Sequence, residues 1–96
     1  MKGKKSGLDQ ARLLEALFEK YKAGMYTIAW SILKNEFQDE DAVGDAFEKL
    51  IPYLDKCQDA DSTAARLLLT RLVKTSAIDI YRKNQREKGQ VPVEEA

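Results

Sequence analysis

The sequence predicts an all-α fold, a compact bundle of three main helices. Apolar residues recur at spacings of three and four, polar stretches divide the chain into three such segments, and no alternation of apolar and polar residues persists. The chain has 96 residues, 44% of them apolar, which suits one small domain with one core. We predict a flexible basic N-terminus over residues 1–7, a single helical domain over 8–89 and a disordered tail over 90–96.

The first predicted helix runs from Leu8 to Lys34. Gly24 in its middle costs about 1 kcal/mol relative to alanine, which allows a bend or break there. Asn35 and the polar residues after it predict the end of this helix. Spacings of four and three place six apolar residues on its inner stripe: Leu14, Phe18, Tyr21, Met25, Ile28 and Ile32.

The second predicted helix begins near Asp39, because carboxylates are stabilised beside the positive end of a helix dipole. Pro52 lacks an amide hydrogen and predicts that this helix ends or kinks near Leu50 to Ile51. Its inner stripe contains four apolar residues: Val43, Phe47, Leu50 and Leu54.

The third predicted helix follows a polar loop over residues 55–61, with Asp61 or Ser62 as its cap. It runs toward Arg86, and Gly89 is a suitable terminator. Its inner row is apolar except for one serine: Leu69, Leu72, Val73, Ser76 and Ile80.

Several function classes are disfavoured by composition. The chain has no histidine and a single cysteine, Cys57, so it can build neither the common zinc sites nor an internal disulfide. It has no cofactor motif, and we expect no enzyme activity, no cofactor and no metal. A magnesium site at the carboxylates of residues 39–45 is weighed against helix capping, which we favour. No apolar run suits a signal peptide or a membrane span, and we expect a cytoplasmic protein.

The charges are segregated although their sum is zero. Residues 1–35 carry seven basic and three acidic side chains (+4), residues 36–61 two and nine (−7), residues 62–89 seven and two (+5), and residues 90–96 two acidic ones (−2). Such blocks suit an acidic surface for a basic protein and a basic surface for phosphate. The alternative is that the blocks attract each other within the domain.

The third helix has a second face that predicts nucleic-acid binding. Basic side chains there could neutralise phosphates, while the aromatic and aliphatic side chains among them could pack against bases or sugars. The alternative is an ordinary solvated helix face. The candidate residues are Arg71, Lys74, Thr75, Ile78, Tyr81, Arg82, Lys83 and Arg86.

Five stretches carry a resemblance to a known family. Residues 17–21 and 25–35 resemble the opening helix of the second region of bacterial RNA polymerase sigma factors of the extracytoplasmic-function group. Residues 40–47 are similar to its acidic second helix, and residues 68–74 with 77–83 resemble its DNA-facing helix. The resemblance extends from about Leu13 to Arg86. This sequence departs from the family pattern with Gly44 for a common glutamine, Leu68 for a tryptophan and Thr75 for an asparagine.

The resemblance implies a sigma-2-like fold and two partners. The second helix and the end of the first would bind the clamp coiled coil of the largest subunit of core RNA polymerase. The third helix would bind the single-stranded minus-ten promoter DNA, with the loop over residues 55–62 near a flipped base. The implied polymerase-binding residues are Glu40, Asp41, Gly44, Asp45 and Glu48, with Phe47 as contact or support, and the implied DNA-binding residues include Arg71, Lys74, Arg82, Lys83 and Arg86.

A sigma-like transcription initiation domain is therefore the leading hypothesis. Its alternative is a helical adaptor or inhibitor that occupies the sigma site on polymerase without binding DNA. A small regulator of duplex DNA is a third hypothesis. Nothing after Gln90 predicts the helix-turn-helix with which the family reads the minus-thirty-five element, so we expect a fragment, or a reduced gene product acting with a second subunit or as a regulator. An anti-sigma factor is a further candidate partner.

Overall fold

The computed structural model describes residues 7–57 and 59–89, and these residues form helices joined by short turns. The elements are α1 (Gly7–Leu33), α2 (Glu36–Leu50), a 3-10 helix (Ile51–Lys56) and α3 (Thr63–Glu87). The predicted all-α bundle of three main helices is confirmed. Gly7 lies in α1, and the other predictions for the N-terminus and the tail concern residues 1–6 and 90–96, which lie outside the described residues.

The junction between α1 and α2 corrects the predicted start of the second helix. Lys34 adopts a left-handed conformation with φ of 54°, which ends α1. Asn35 is extended, and its side-chain oxygen accepts a hydrogen bond from the Gln38 amide at 2.9 Å, so Asn35 is the cap of α2. The prediction of a start near Asp39 was wrong because it used Asn35 only as a stop for α1. Asp39 lies within the first turn and is buried.

The other helix ends lie closer to the positions that the sequence predicts. α1 continues through Gly24 without interruption, and α2 ends at Leu50, two residues before Pro52. The chain then continues as the 3-10 helix, which the sequence analysis had not predicted. Pro52 is tolerated there because the first residues of a helix do not need their amide hydrogens. Leu54 is buried and holds this segment against the core.

The ends of α3 were predicted correctly. The hydroxyl of Ser62 accepts a hydrogen bond from the Ala65 amide at 3.1 Å, and this caps the helix. Gly89 follows the last turn with φ of 74°, a conformation that favours glycine.

The core lies where the three helices meet. Its most completely buried large side chains are Leu17, Leu50, Leu69, Val43 and Val73. The buried row of α1, formed by Leu13, Leu17, Met25 and Ala29, is displaced from the predicted stripe, most of whose members are only half-buried. The reason is that α1 packs against both α2 and α3, so its buried face is wider than one stripe and the predicted residues form its margin.

Two sets of hydrogen bonds hold neighbouring parts of the bundle against each other. The Tyr21 hydroxyl donates to the Ala60 carbonyl oxygen at 2.7 Å, which holds the turn before α3 against α1. The amides of Gln38 and Asn84 exchange two hydrogen bonds, of 3.2 and 2.8 Å, between the start of α2 and the end of α3. The last turns of α3 are therefore attached to the bundle.

We predict that Asn35→Ala lowers the free energy of unfolding by about 1 kcal/mol, because the cap of α2 is lost. Urea denaturation followed by circular dichroism measures the change. Asn35→Asp is the control, since aspartate caps as well as asparagine does, and it should keep most of the stability. Equal stability of the parent and the alanine variant would contradict the assigned cap.

Candidate functional site

The eight candidate nucleic-acid residues of α3 are all exposed to solvent. Five of them lie on one face of the helix at spacings of three, four, seven and eleven residues: Arg71, Lys74, Thr75, Ile78 and Arg82. Tyr81 and Arg86 flank this face. Lys83 lies apart, about 140° round the helix from Ile78, because each residue advances about 100°. We call the seven clustered residues the basic face.

The basic side chains of this face form no ion pair with the described carboxylates. The ion pairs among residues 7–57 and 59–89 are Lys20 with Asp61, Lys22 with Glu19 and Lys49 with Asp45. Arg71, Lys74, Arg82 and Arg86 belong to none of them, and Lys83 does not either. None of these ion pairs involves α3. They therefore do not support the alternative in which the basic and acidic blocks neutralise each other.

The five candidate polymerase-binding residues line one open groove of about 540 Å³ between α2 and α3. Three residues of α3 complete its walls: Ser76, Asp79 and Ile80. None of its described lining residues is a lysine or an arginine. We call it the acidic groove, and its α2 residues are Glu40, Asp41, Gly44, Asp45 and Glu48. α3 thus contributes Asp79 to the acidic groove and Arg82, one turn further on, to the basic face.

Asp45 is the most firmly held of these carboxylates. The Ser76 hydroxyl donates to Asp45 Oδ2 at 2.7 Å, and Lys49 Nζ lies 3.1 Å from the same oxygen. The hydrogen bond from Ser76, aided by Lys49 and opposed by partial burial, lowers the pKa of Asp45 below its usual value. Ser76, which interrupts the apolar row of α3, thus positions a carboxylate on another helix. In the sequence, the signal for this role of Ser76 is a serine within the otherwise apolar row of α3.

Gly44 and Phe47 have different roles on α2. Gly44 is exposed, and a Cβ added there would meet no atom within 4 Å, so packing does not require glycine at this position. The Phe47 ring is buried and meets the Phe18 ring edge-on at a centroid distance of 5.3 Å. Phe47 therefore supports the acidic groove from the core side.

The turn before α3 is held by several contacts. The Asp59 side chain accepts a hydrogen bond from the Asp61 amide at 2.9 Å, and Lys20 Nζ lies 2.9 Å from Asp61 Oδ1. The hydrogen bond and charge of Asp61 raise the pKa of Lys20. Nearby, Cys57 is buried, and burial raises the pKa of its thiol, which makes it a poor nucleophile.

The described part of the chain gathers no three acidic, cysteine or histidine side chains into a set that could hold a metal ion. Its helices also include none with the length and apolar content needed to cross a bilayer.

The sequence matches the family described as Sigma-70 region 2 over residues 17–87. This range covers most of the chain and includes every candidate residue of the acidic groove and the basic face. The chain belongs to the Sigma-70 region 2 family. Comparisons with curated proteins and with solved structures give no match.

The Sigma-70 region 2 family is a transcription initiation family and not a known family of enzymes. At the level of the family, its function is to bind core RNA polymerase and the minus-ten promoter element. The helical bundle of this chain and its separate acidic and basic surfaces are consistent with that membership.

We predict that Ser76→Ala lowers the free energy of unfolding by about 1 kcal/mol at pH 7, because the hydrogen bond to Asp45 is lost and Asp45 is only partly buried. The folded-state pKa of Asp45 lies below its unfolded value of about 3.9. The bond therefore stabilises the protein above that pH, and the stabilisation is lost as the pH falls through the folded pKa. Urea denaturation between pH 7 and pH 2 should show the two proteins converging in acid.

Thr70→Ala is the control for this experiment. The Thr70 hydroxyl donates only to a carbonyl of its own helix, at 2.9 Å, so its removal should leave the pH dependence unchanged. A stability difference for Ser76→Ala that stays constant across the pH range would contradict the assigned role of Ser76.

Proposed function

We propose that this chain is a sigma-like domain of the extracytoplasmic-function type. It binds core RNA polymerase through the acidic groove and the single-stranded minus-ten region of a promoter through the basic face. The observation that supports this most strongly is the separation of the two surfaces: uncompensated basic side chains on one side of α3 and a groove of carboxylates on its other side. A cytoplasmic location follows from the proposed partners.

The basic face has the chemistry of a single-strand binding surface. Its three arginines and Lys74 can neutralise successive phosphates, and Ile78 and Tyr81 are 37% and 45% exposed among them. Tyr81 offers a ring for stacking on an unpaired base, which is worth about 1–3 kcal/mol per base. Duplex DNA hides its base faces, so this combination favours a single strand over a duplex.

The acidic groove has the chemistry of a site for a basic protein surface. Four carboxylates line its α2 side, and Asp79 adds another from α3. Charge complementarity speeds association and selects the partner more than it adds affinity. The clamp coiled coil of the polymerase, as the sequence resemblance implies, is the proposed partner surface.

The experiments below also separate the alternative functions. An adaptor or inhibitor at the sigma site would bind polymerase and no DNA, and a duplex regulator would bind duplex and single strands comparably. An anti-sigma factor or a second subunit is proposed as an additional partner.

We predict that the double variant Arg82→Ala with Arg86→Ala binds single-stranded DNA more weakly and with less dependence on salt. Each phosphate contact on a single strand contributes about 0.7 to the slope of log affinity against log salt, so the slope should fall by about 1.4. Fluorescence anisotropy with random single-stranded and duplex pools measures both. Arg12→Ala with Lys22→Ala removes two charges from α1 and is the control. An unchanged slope in the α3 variant would contradict the proposed DNA surface.

We predict that Asp41→Lys lowers capture of core RNA polymerase by tenfold or more, because a like charge then faces a basic partner surface. Asp41 suits this test better than Asp45, whose replacement would also remove the bond from Ser76. Glu15→Lys, an equal charge reversal at an exposed position of α1, should bind as the parent does. Equal capture by both variants would exclude the acidic groove as the docking site.

A further inference from the structure

The last ten residues of α3 carry much of the basic face but no buried side chain. The buried residues of this helix end at Ala77. Residues 78–87 all lie in the described part of the chain, and only Ile80, Asn84 and Gln85 among them are half-buried. A helix end with so little apolar burial opens locally at a low free energy. Four residues of the basic face lie in this stretch: Ile78, Tyr81, Arg82 and Arg86.

An open groove separates the end of α3 from the junction of α1 and α2. Its volume is about 380 Å³. Leu33 is the one apolar residue among its described lining residues, and the other lining residues are polar or charged. Apolar contact across this groove is therefore small, and it does little to hold the last turns of α3 in place.

A pair of side-chain amides spans this groove. Gln38 Nε2 donates to Asn84 Oδ1 at 3.2 Å, and Asn84 Nδ2 donates to Gln38 Oε1 at 2.8 Å. The backbone amide of Gln38 in turn donates to the capping oxygen of Asn35. Within the described part of the chain, no other side-chain hydrogen bond or ion pair joins residues 78–87 to another helix. The amide pair therefore anchors the end of α3 to the start of α2.

The position of Asn84 connects this anchor to the basic face. Asn84 lies two residues from Arg82 and two from Arg86. Because each residue advances about 100°, both arginines lie about 160° round the helix from Asn84. When the Asn84 side chain is bound to Gln38, the two arginines face away from α2. The amide pair thus sets the rotation in which the last turns present these cations.

We propose that Gln38 and Asn84 are positioning residues for nucleic-acid binding, and that their paired amides hold Arg82 and Arg86 in place for a DNA strand. The inference rests on the function proposed above, because it requires the basic face to bind DNA. It adds that this face has two parts. Arg71 and Lys74 lie on the turns that the core holds, whereas the last turns depend on the amide pair. Contacts that are ordered before binding cost less to form.

Hydrogen exchange tests the anchor in the variant Asn84→Ala. Alanine favours a helix more than asparagine does, so intrinsic propensity alone would slow exchange in these turns. We expect the opposite, with the backbone amides of residues 82–87 exchanging about tenfold faster and those of residues 69–77 unchanged. Gln85→Ala is the control, because Gln85 is the next residue and its side chain has no bond to α2. It should exchange as the parent does.

Two results of this experiment would count against the proposal. Equal acceleration of residues 69–77 and 82–87 would assign the amide pair to the stability of the whole domain. Unchanged exchange in both segments would show that the pair does not hold the last turns. Either result overturns the positioning role.

Binding of single-stranded DNA tests the link to the two arginines. Asn84→Ala should bind a random single-stranded pool about threefold more weakly than the parent at the same salt concentration. Added to the double variant Arg82→Ala with Arg86→Ala, the same change should have no further effect, because the contacts that Asn84 positions are already absent. An equal loss in both backgrounds would overturn the proposal.

The exchanged pair, Gln38→Asn with Asn84→Gln, tests the hydrogen bonds themselves. It keeps two facing amides and the same combined side-chain length, so it should restore both DNA affinity and hydrogen exchange to within about twofold of the parent. Gln38→Ala should behave as Asn84→Ala does, since each removes the same two bonds. An exchanged pair that binds DNA no better than the alanine variants would contradict the proposed role.

The arginine variants distinguish this proposal from the preceding one. If Arg82→Ala with Arg86→Ala binds DNA as tightly as the parent, the proposed DNA surface fails, and the positioning role fails with it. If that variant binds weakly while Asn84→Ala binds as the parent does, the DNA surface stands and only the positioning role is overturned.

Discussion

The arrangement of this domain depends on the packing of α2 between α1 and α3. The buried apolar residues of α2 form one continuous strip, made of Ala42, Val43, Ala46, Phe47 and Leu50. Because that strip is covered by two helices, the polar residues of α2 can emerge only along its two flanks and its outer side. One flank opens toward α3 as the acidic groove, and the other opens toward α1 beside Tyr26 and Trp30. The packing of one short helix thus determines where its own six acidic side chains lie.

The same packing links the acidic groove to the basic face. Ser76 is 2% exposed and belongs to the buried side of α3, yet its hydroxyl binds Asp45 across the helix interface. Arg71, Lys74 and Arg82 lie on the opposite, outer side of α3, where no described carboxylate forms an ion pair with them. A helix that presents serine inward and arginine outward can hold an acidic site on its neighbour while leaving its own cations for a ligand. Opposite charges on adjacent helices therefore coexist without neutralising each other.

The sequence predicted the fold class and the regular features because those follow from local rules. The spacing of Val43, Phe47 and Leu50, the arrest of α2 before Pro52 and the cap at Ser62 each depend on a few neighbouring residues. The start of α2 was missed because Asn35 can end one helix or cap the next, and only the left-handed Lys34 decides between them. The displaced buried row of α1 was missed because periodicity gives the direction of an apolar face but not its width, which depends on how many helices cover it.

The features of the candidate sites also divide into those that the sequence predicted and those that depend on contacts between helices. Helical spacing predicted the second face of α3, and the family resemblance implied the carboxylates of α2. The pairing of Ser76 with Asp45 was not predicted, because this hydrogen bond joins two different helices. Asp39 shows the limit most clearly, since the sequence placed it with Glu40 and Asp41 as one of three similar capping carboxylates. Asp39 and Asp45 lie on one helix, but their environments shift their pKa values in opposite directions.

The contrast between these two aspartates also shows which carboxylate the fold itself stabilises. Asp45 receives a hydroxyl donor and an ammonium group from its own chain, so its charge is stabilised before any partner arrives. Asp39 is more deeply buried, and its Oδ1 receives no donor from the described residues. Because Oδ1 of Asp39 has almost no exposed surface, an external donor does not reach it, and the cost of burying this oxygen stays within the folded domain. The partly exposed Asp45 is therefore the better contact for a basic surface, because its charge and its position are already set by Ser76 and Lys49 before binding.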